Sequence, residues 1–396
     1  MLPSGFVYDI LRVFDIYDDN VNGICGSMNE RNYNLWLHSL SGIGAGKLER
    51  ILGVFGSAKR VFEARSRELA QIEGLTNDNI KNILDRQNEE ALLSCSKWLT
   101  DRLVTFVSRF DVEYPELLRE IDHPPFGFFV RGELPDDSAA KVAIIGSRRC
   151  SEYGRSVAYK LANELAAARV VVVSGFAKGV DSVAHRGALQ AGGKTIGVLG
   201  CGIDICYPAE NHMLMDDMVA NGCLMSTYLP GTRPLPAYFP ARNRIISGLC
   251  RAIIVVEAGQ RSGTLITVGQ ALDQGREVFA VPGSALSKLS EGTNMLIKEG
   301  AAVATCADDV LSALRLERPK PTARRDKNKA EPEVSGLSDD EAAVLRCING
   351  ESQFAGFDHI TKTTGLGVSQ ANYVLVMLEM KGLIEKLPGL RYTARS

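Results

Sequence analysis

The sequence predicts an α/β protein whose centre is a Rossmann-like, doubly wound parallel sheet, with a helical domain before it and a winged helix after it. Two observations predict the central fold. Short β-branched runs alternate with helical patterns through the middle of the chain, and glycine-rich polar segments directly follow those runs. With 396 residues and 45% hydrophobic side chains, the chain exceeds one ordinary domain and can form a substantial core.

Five central strands are predicted from apolar runs at residues 141–145, 170–173, 195–199, 252–256 and 277–281. Runs that are almost continuously apolar are typical of strands covered on both faces. Between the first two runs, Val157, Leu161 and Leu165 recur at helical spacing, and residues 264–274 show a second such pattern. Because strand and helix alternate, right-handed crossovers and a parallel sheet are expected.

The domain boundaries follow from composition. Residues 315–334 hold three prolines, seven basic and four acidic side chains, which predicts a linker that cannot form a core. The predicted segments are a leader of unassigned role, a helical domain, the Rossmann-like domain, the linker and a winged helix, at residues 1–28, 29–110, 111–314, 315–334 and 335–396.

The helical domain contains a motif typical of helix-hairpin-helix or SAM-like domains. Residues 40–44 read Leu-Ser-Gly-Ile-Gly and precede an apolar helical pattern, an arrangement in which glycine amides bind a DNA phosphate. A second copy at residues 72–76 has Thr76 in place of the second glycine, so it is expected to have lost phosphate binding. For the pair, a packing role and DNA contact both stay open.

The winged helix is predicted from a capping box, Ser338 with Glu341, followed by helical patterns and a hairpin near residues 383–393. Winged helices commonly read DNA. Here residues 335–396 carry six basic and seven acidic side chains. That balance favours contact with a partner protein or a regulatory role.

Composition excludes several classes of protein. No apolar run reaches the roughly 18 residues of a membrane helix, and acidic residues interrupt the N-terminal apolar stretch, so we expect a cytoplasmic protein with no membrane contact. The nine cysteines include no CxxC pair, which indicates reduced thiols and no metal site. A net charge of −2 means that a nucleic-acid site would be a local patch.

Polar segments follow four of the predicted strands, at residues 146–149, 174–179, 200–202 and 257–264. Open α/β sheets bind ligands at the carboxyl ends of their strands, where glycines allow close approach and helix N-termini offer free N–H groups. Arg148, Lys178, Arg242 and Arg244 would add positive charge. Together these features predict an anion-binding edge suited to phosphates.

The type of phosphate ligand can be narrowed. The chain has neither the GxGxxG spacing of a dinucleotide site nor a P-loop. Cationic residues spread over several loops suit an extended polyanion better than one pyrophosphate. If Phe176 and Tyr238 are exposed, they would stack on bases without reading sequence.

The ordered motifs of the chain resemble the DprA/Smf family of DNA-processing proteins. The motifs include AIIGSR at residues 143–148, SGFAKGVDSVAH at 174–185, FPARNRIISGL at 239–249 and VVEAGQRSGTLIT at 255–267. The resemblance implies binding and protection of single-stranded DNA, loading of the RecA recombinase during DNA uptake and natural transformation, and a homodimer formed through the Rossmann-like domain. Relatives often have Leu and Ile where this chain has Phe176 and Val180.

The resemblance assigns the binding residues to Gly146, Ser147, Arg148, Ser174, Gly175, Lys178, Arg242, Asn243 and Arg244. Their predicted position at the start of a helix adds Ser262, Gly263 and Thr264, and possible base stacking adds Phe176. No catalytic residue, cofactor or metal is expected.

Structural interpretations compete with these functional ones. Residues 146–148 could instead form only a tight turn, Lys178 could be an ordinary surface lysine, and residues 242–244 could be a buried ion-pair hub, although phosphate contact is favoured for the first and last of these. Asp181 and His185 share a helix face, but without a third ligand a structural hydrogen bond is favoured over a metal pair. Cys201 is expected to be a packed residue rather than a nucleophile, since no base is paired with it.

The main alternative function is enzymatic. A related group of nucleotide-binding enzymes cleaves nucleoside monophosphates with a GGxGT loop that residues 262–264 resemble in part. Ser262 replaces the second glycine of that loop, and residues 265–268 lack the glutamate that follows it. The sequence therefore favours a binding protein over an enzyme.

Overall fold

The computed structural model describes residues 28–317, 337–349, 355–387 and 391–394. The described residues fall into two compact units, one before and one after residues 319–320. Residues 1–27 of the predicted leader and 318–334 of the predicted linker lie outside the described residues.

The first unit contains a sheet of nine strands in the order β1-β2-β6-β5-β4-β3-β7-β8-β9. Strands β3 to β9 pair in parallel, whereas β2 is antiparallel to both β1 and β6. The strands are β1 Val104–Ser108, β2 Gly127–Gly132, β3 Lys141–Ile145, β4 Val171–Ser174, β5 Thr195–Val198, β6 Cys223–Ser226, β7 Ala252–Val255, β8 Glu277–Ala280 and β9 Ala302–Val303. The predicted doubly wound parallel fold is confirmed.

Strand β3 explains why the central runs are continuously apolar. Val142 and Ile144 pack into the core on one face of the sheet, while Ala143 and Ile145 pack into the core on the other. All five residues of the strand are buried, including Lys141, whose Nζ donates to Asp137 at 2.8 Å. Full burial of each aliphatic side chain stabilises the fold by roughly 1.5–3 kcal/mol.

Helices cover both faces of the sheet and form the N-terminal region. The helices of the first unit are α1 Glu30–Ser39, α2 Ala45–Phe55, α3 Ala58–Glu63, α4 Ser66–Leu69, α5 Asn77–Asp85, α6 Glu89–Asp101, α7 Glu116–Arg119, α8 Glu152–Ala167, α9 Val180–Gln190, α10 His212–Asn221, α11 Tyr238–Gly248, α12 Gly263–Asp273, α13 Glu291–Lys298 and α14 Ala307–Ala313. The N-terminal helices share a hydrophobic core with β1 and β2. Since β1 precedes residue 111, the sheet begins earlier than the start predicted for the Rossmann-like domain.

The second unit is a winged helix, as predicted. It contains α15 Asp339–Asn349, α16 Phe357–Thr364, α17 Val368–Met380 and a three-stranded sheet of β10 Ala355–Gly356, β12 Arg391–Ala394 and β11 Ile384–Leu387. The predicted capping box is present: Ser338 N donates to Glu341 Oε2 at 2.8 Å, and Glu341 N donates to Ser338 Oγ at 3.3 Å.

Candidate nucleic-acid interface

The strand order reverses between β3 and β7, and the loops after these strands flank a cleft of about 490 Å³. A reversal of strand order is the place where open α/β sheets bind ligands. We call it the switch-point cleft. The predicted site residues that line it are Gly146, Ser147, Arg148, Arg242, Asn243, Ser262, Gly263 and Thr264.

The loop after β3 holds Arg148 at the cleft. Ser147 N donates to Glu257 O at 2.8 Å, and Ser147 O accepts from Val180 N at 3.2 Å, so the backbone is fixed on both sides. Gly146 leaves no room for a side chain, because a Cβ would come within 2.7 Å of Val180 Cγ2. The Arg148 guanidinium lies 5.2 Å from the centre of the Phe239 ring, and no carboxylate in the described ranges pairs with it.

The N-terminus of α8 is occupied by the protein's own carboxylate. Glu257 is 2% exposed and accepts from Ser151 N at 2.8 Å and from Ser151 Oγ at 2.5 Å, directly beside Gly154. In dinucleotide-binding Rossmann folds the pyrophosphate binds at the N-terminus of the first helix. Here a phosphate would meet like charge at that point, which agrees with the missing GxGxxG motif.

The loop after β4 lies deeper than the sequence indicated. Ser174 is buried and its Oγ donates to Ile144 O at 2.6 Å. Phe176 is fully buried, with φ 57° and its carbonyl accepting from Asn211 Nδ2 at 3.0 Å. The condition for base stacking by Phe176 is therefore not met, because its ring belongs to the hydrophobic core.

Arg242 is a buried support rather than an exposed contact for phosphate. Its guanidinium is 4% exposed and donates to the carbonyls of Gly175, at 2.6 Å, and Val198. Burial lowers the pKa of Arg242 to about 10, so it remains a cation at neutral pH. Burial raises the pKa of Asp181, which the charge of Arg242 opposes. Arg242 is thus buried, as the ion-pair hub interpretation of residues 242–244 expected, but its hydrogen bonds go to carbonyls and not to a described carboxylate.

Lys178 and Arg244 do not line the switch-point cleft, although each is next in sequence to a residue that does, Ala177 and Asn243. The exposed Lys178 Nζ donates to Glu210 Oε1 at 2.6 Å, and this bond lowers the pKa of Glu210. Arg244 donates to His123 O and lines a different cleft, on another side of α11 from Asn243. The prediction that all the cationic residues lie together at the carboxyl edge of the sheet was therefore wrong for Arg244.

The segment after β7 opens α12 at the cleft, as predicted from its position. Ser262 is the N-cap residue, and its Oγ accepts from Thr264 N at 3.2 Å. Gly263 is exposed, with no atom within 4 Å of where its Cβ would be. The first turn of α12 therefore presents backbone N–H groups and the positive end of a helix dipole to the cleft.

Two aromatic residues of the cleft were missed by the sequence reasoning. Tyr207, 45% exposed, and Phe239 both line it, with ring centres 5.8 Å apart. Tyr238, which the sequence favoured for stacking, is half-buried and packs on Tyr228 at 4.4 Å. A signal for Phe239 was present in the sequence. Phe239 directly follows Tyr238, and neighbouring residues of a helix point in different directions, so the two rings had to face different surroundings.

The remaining polar candidates are structural. His185 is fully buried, and its Nδ1 donates to Thr195 Oγ1 at 2.7 Å, since that hydroxyl donates in turn to Val172 O. Burial lowers the pKa of His185 to about 3, so the ring is neutral. This is the structural hydrogen bond that the sequence favoured. Cys201 is 1% exposed and burial raises its pKa to about 12, which confirms a packed thiol.

Two features are absent from the described residues. Neither of the two units contains a helix long and apolar enough to cross a membrane in its described part. Across the same residues, no three His, Cys, Asp or Glu side chains are grouped as metal ligands.

Comparison with known proteins identifies the family of this chain. A family model described as DNA recombination-mediator protein A matches residues 105–315, more than half of the chain. The chain belongs to this family. A second model, the DprA winged helix domain, matches residues 328–389.

Individual relatives are also similar to this chain over long segments. DNA processing protein DprA of Streptococcus pneumoniae is 49% identical over 203 residues, covering 50% of this chain and 70% of the relative. Protein Smf of Escherichia coli K12 is 37% identical over 282 residues, covering 69% of this chain and 73% of the relative. The crystal structure of the S. pneumoniae DprA matches with a TM-score of 0.63 and 39% identity, over 72% of this chain and 98% of that one.

Proposed function

We propose that this protein binds single-stranded DNA in the switch-point cleft and passes it to a RecA recombinase during DNA uptake and natural transformation. One observation carries the proposal. The Arg148 guanidinium, which forms no salt bridge with a described carboxylate, lies over the Phe239 ring and shares a cleft with the N-terminus of α12. A cation, backbone amides and aromatic rings are what a flexible strand of phosphates and bases requires.

The geometry favours a single strand over a duplex. Tyr207 and Phe239 lie in a recess, and the stacked bases of a duplex cannot reach them. The first turn of α12 offers backbone N–H groups to the cleft, and such groups contact phosphates without reading bases, so we expect binding of mixed sequences. Membership of a family named for DNA recombination supports DNA as the polymer.

Binding without turnover is part of the proposal. Asp181 is the carboxylate that lines the cleft; it accepts from Ala177 N at 3.3 Å and faces the charge of Arg242, so it is held in a structural role. Residues 265–268, which follow the loop that resembles the nucleotide-cleaving group, include no glutamate, and Thr267 of this segment lines the cleft. Release of free base from nucleoside monophosphates would support that alternative.

Protein partners and location are also part of the proposal. We infer a homodimer through the Rossmann-like unit, where Leu272 and Leu286 are 60% and 97% exposed outside the switch-point cleft. On the winged helix, Tyr373 and Met380 of α17 are 66% and 79% exposed, which supports contact with a protein partner rather than DNA. Eight free cysteines among the described residues support a reducing, cytoplasmic location.

The test is a titration of labelled oligonucleotides in EDTA at several salt concentrations. Arg148→Ala should weaken single-strand binding and lower the salt slope by about 0.7, the value for one lost phosphate contact. Arg155→Ala is the matched control, since Arg155 is exposed on α8 and pairs with Glu152 outside the cleft. Unchanged binding by Arg148→Ala, equal duplex binding, or cleaved DNA would contradict the proposal.

A further inference from the structure

A second cleft, of about 320 Å³, lies between the N-terminal helices and α11. We call it the hairpin cleft. Its lining includes Ile43 and Ala45 from the first helix-hairpin-helix motif, Arg109 and Phe126 from beside β1 and β2, and Arg244 from α11. None of these lines the switch-point cleft, so the hairpin cleft is a separate surface.

The hairpin itself is built to present backbone N–H groups. Gly44 is the N-cap residue of α2, and no side chain in the described part of the protein caps this helix. Ala45 and Gly46, at its first turn, are exposed. The first two amides of the helix therefore point outward without an acceptor, at the positive end of its dipole.

The second copy of the motif holds this hairpin in place. Asn82 Nδ2 of α5 donates to Ser41 O at 2.7 Å, and Asn79 Nδ2 donates to Gly42 O at 3.2 Å. Asn79 Oδ1 also accepts from Lys47 Nζ at 2.7 Å. The carbonyls of the hairpin are thus satisfied from α5, and its amides remain available.

Two guanidinium groups line the same cleft. Arg244 donates to the neutral carbonyl of His123, and no carboxylate of the described ranges pairs with it. Arg109 has a loose, exposed pairing with Glu49 at 3.7 Å, which solvent screens. Positive charge in the hairpin cleft is therefore largely uncompensated.

An aromatic side chain stands beside these cations. Phe110 is 56% exposed, and its ring packs edge-on against Phe126, with centres 6.0 Å apart at 77°. The Arg109 guanidinium lies 5.4 Å from the centre of the Phe110 ring. A large exposed ring next to arginines is the arrangement on which unpaired bases stack.

We propose that the hairpin cleft is a second phosphate site for the same DNA strand, with Phe110 as a stacking surface for a neighbouring base. Asn243 lines the switch-point cleft and the adjacent Arg244 lines the hairpin cleft, so a strand that crosses α11 reaches both. This inference rests on the proposed single-strand function. It gives the helix-hairpin-helix motif a role in DNA contact, with the second copy as its support.

Gly44 offers a test that spares the fold. No atom lies within 4 Å of where its Cβ would be, and its φ of −73° suits any residue. In Gly44→Asp, the new carboxylate would cap α2, which stabilises a helix, while it fills the phosphate position and repels DNA. Gly53→Asp is the matched control, because it adds the same carboxylate to another exposed glycine of α2, outside the hairpin cleft and with no atom within 4 Å of where its Cβ would be.

The experiment measures binding of a short oligonucleotide, of about 5 nucleotides, and a long one, of about 20, across a salt series. Gly44→Asp and Arg244→Gln should bind the long strand about tenfold more weakly, with a salt slope lower by about 0.7, and the short strand as the wild type does. Gly53→Asp should match the wild type on both. Thermal unfolding verifies that each variant is folded.

Arg148→Ala, measured in parallel, separates the two proposals. If Gly44→Asp binds the long strand like the wild type while Arg148→Ala is impaired, the hairpin cleft is not a phosphate site and the proposed function stands. If Gly44→Asp weakens duplex binding alone, the inference is also wrong, because the cleft then serves paired DNA. If the wild type binds no single strand, both proposals fail.

Discussion

Replacing Arg242 by Met distinguishes a buried support from a DNA contact. The guanidinium donates to Gly175 O and Val198 O, at the ends of β4 and β5, and offsets the buried charge of Asp181. Each hydrogen bond to a charged group contributes about 1.5–3 kcal/mol, and the contributions are not fully additive. The free energy of unfolding should therefore fall by about 3–5 kcal/mol, a large part of a typical total.

Thermal and urea unfolding at pH 7 measure this loss. At roughly 2–4 °C per kcal/mol for a domain of 150–250 residues, the melting temperature should drop by about 10 °C. Arg148→Met is the matched control, because its cation–π contact with Phe239 lies at the cleft surface and contributes at most about 1 kcal/mol. Adding Asp181→Asn to Arg242→Met should restore about 0.5–3 kcal/mol, since the unbalanced carboxylate is gone.

The pH dependence has a definite sign. Burial raises the pKa of Asp181 above its value in the unfolded chain, so the folded state binds the extra proton. In Arg242→Met, the loss of stability relative to the wild type should shrink as the pH falls from 7 towards 4, because protonation of Asp181 removes the buried charge. A variant that melts like the wild type and loses only DNA affinity would refute this reasoning and return Arg242 to the phosphate contacts.

Three further outcomes are expected. Glu210→Gln should raise single-strand affinity about threefold by freeing Lys178, whereas Glu133→Gln, which breaks a similar pair elsewhere, should not; equal titration curves would contradict this. Burial lowers the pKa of His185 to about 3. The stability that the neutral ring contributes is therefore present above the unfolded pKa of about 6.5 and is lost as the pH falls, by at most about 1.4 kcal/mol per pH unit. In urea unfolding from pH 7 to 5, His185→Gln should lose less stability than the wild type. A chain that ends at Glu317 should keep most of its single-strand affinity, and a loss of about two orders of magnitude with the sheet still folded would make the winged helix a principal DNA contact.

The central strands could be predicted because burial on both faces imposes an unmistakable apolar run. Strand β6, Cys223–Ser226, was missed because its residues Cys-Leu-Met-Ser include no β-branched side chain, and β9 because it has two exposed residues. Strand β2 was not predicted as a strand either. Its antiparallel pairing with β6 depends on contacts distant in sequence, which local patterns do not record.

The candidate site was predictable where topology alone decides it. The loops after β3 and β7 must meet at the reversal of strand order, and they do. The directions of the side chains were not predictable. The backbone of Phe176 itself has a φ of 57°, and its ring lies in the core. Arg242 and Arg244 are two positions apart on a helix, so their separation onto different surfaces could have been anticipated once α11 was assigned.

The carboxylate of Glu257 at the start of α8 has a kinetic consequence. It removes the strongest single anion-binding point of a Rossmann fold and leaves phosphates to weaker points spread along the surface. A ligand bound at one deep point must break every contact at once to leave, whereas a strand held at dispersed points detaches one nucleotide at a time. Under the proposed function, an incoming filament of recombinase would displace the strand progressively from one end, without a step in which the whole binding energy must be overcome.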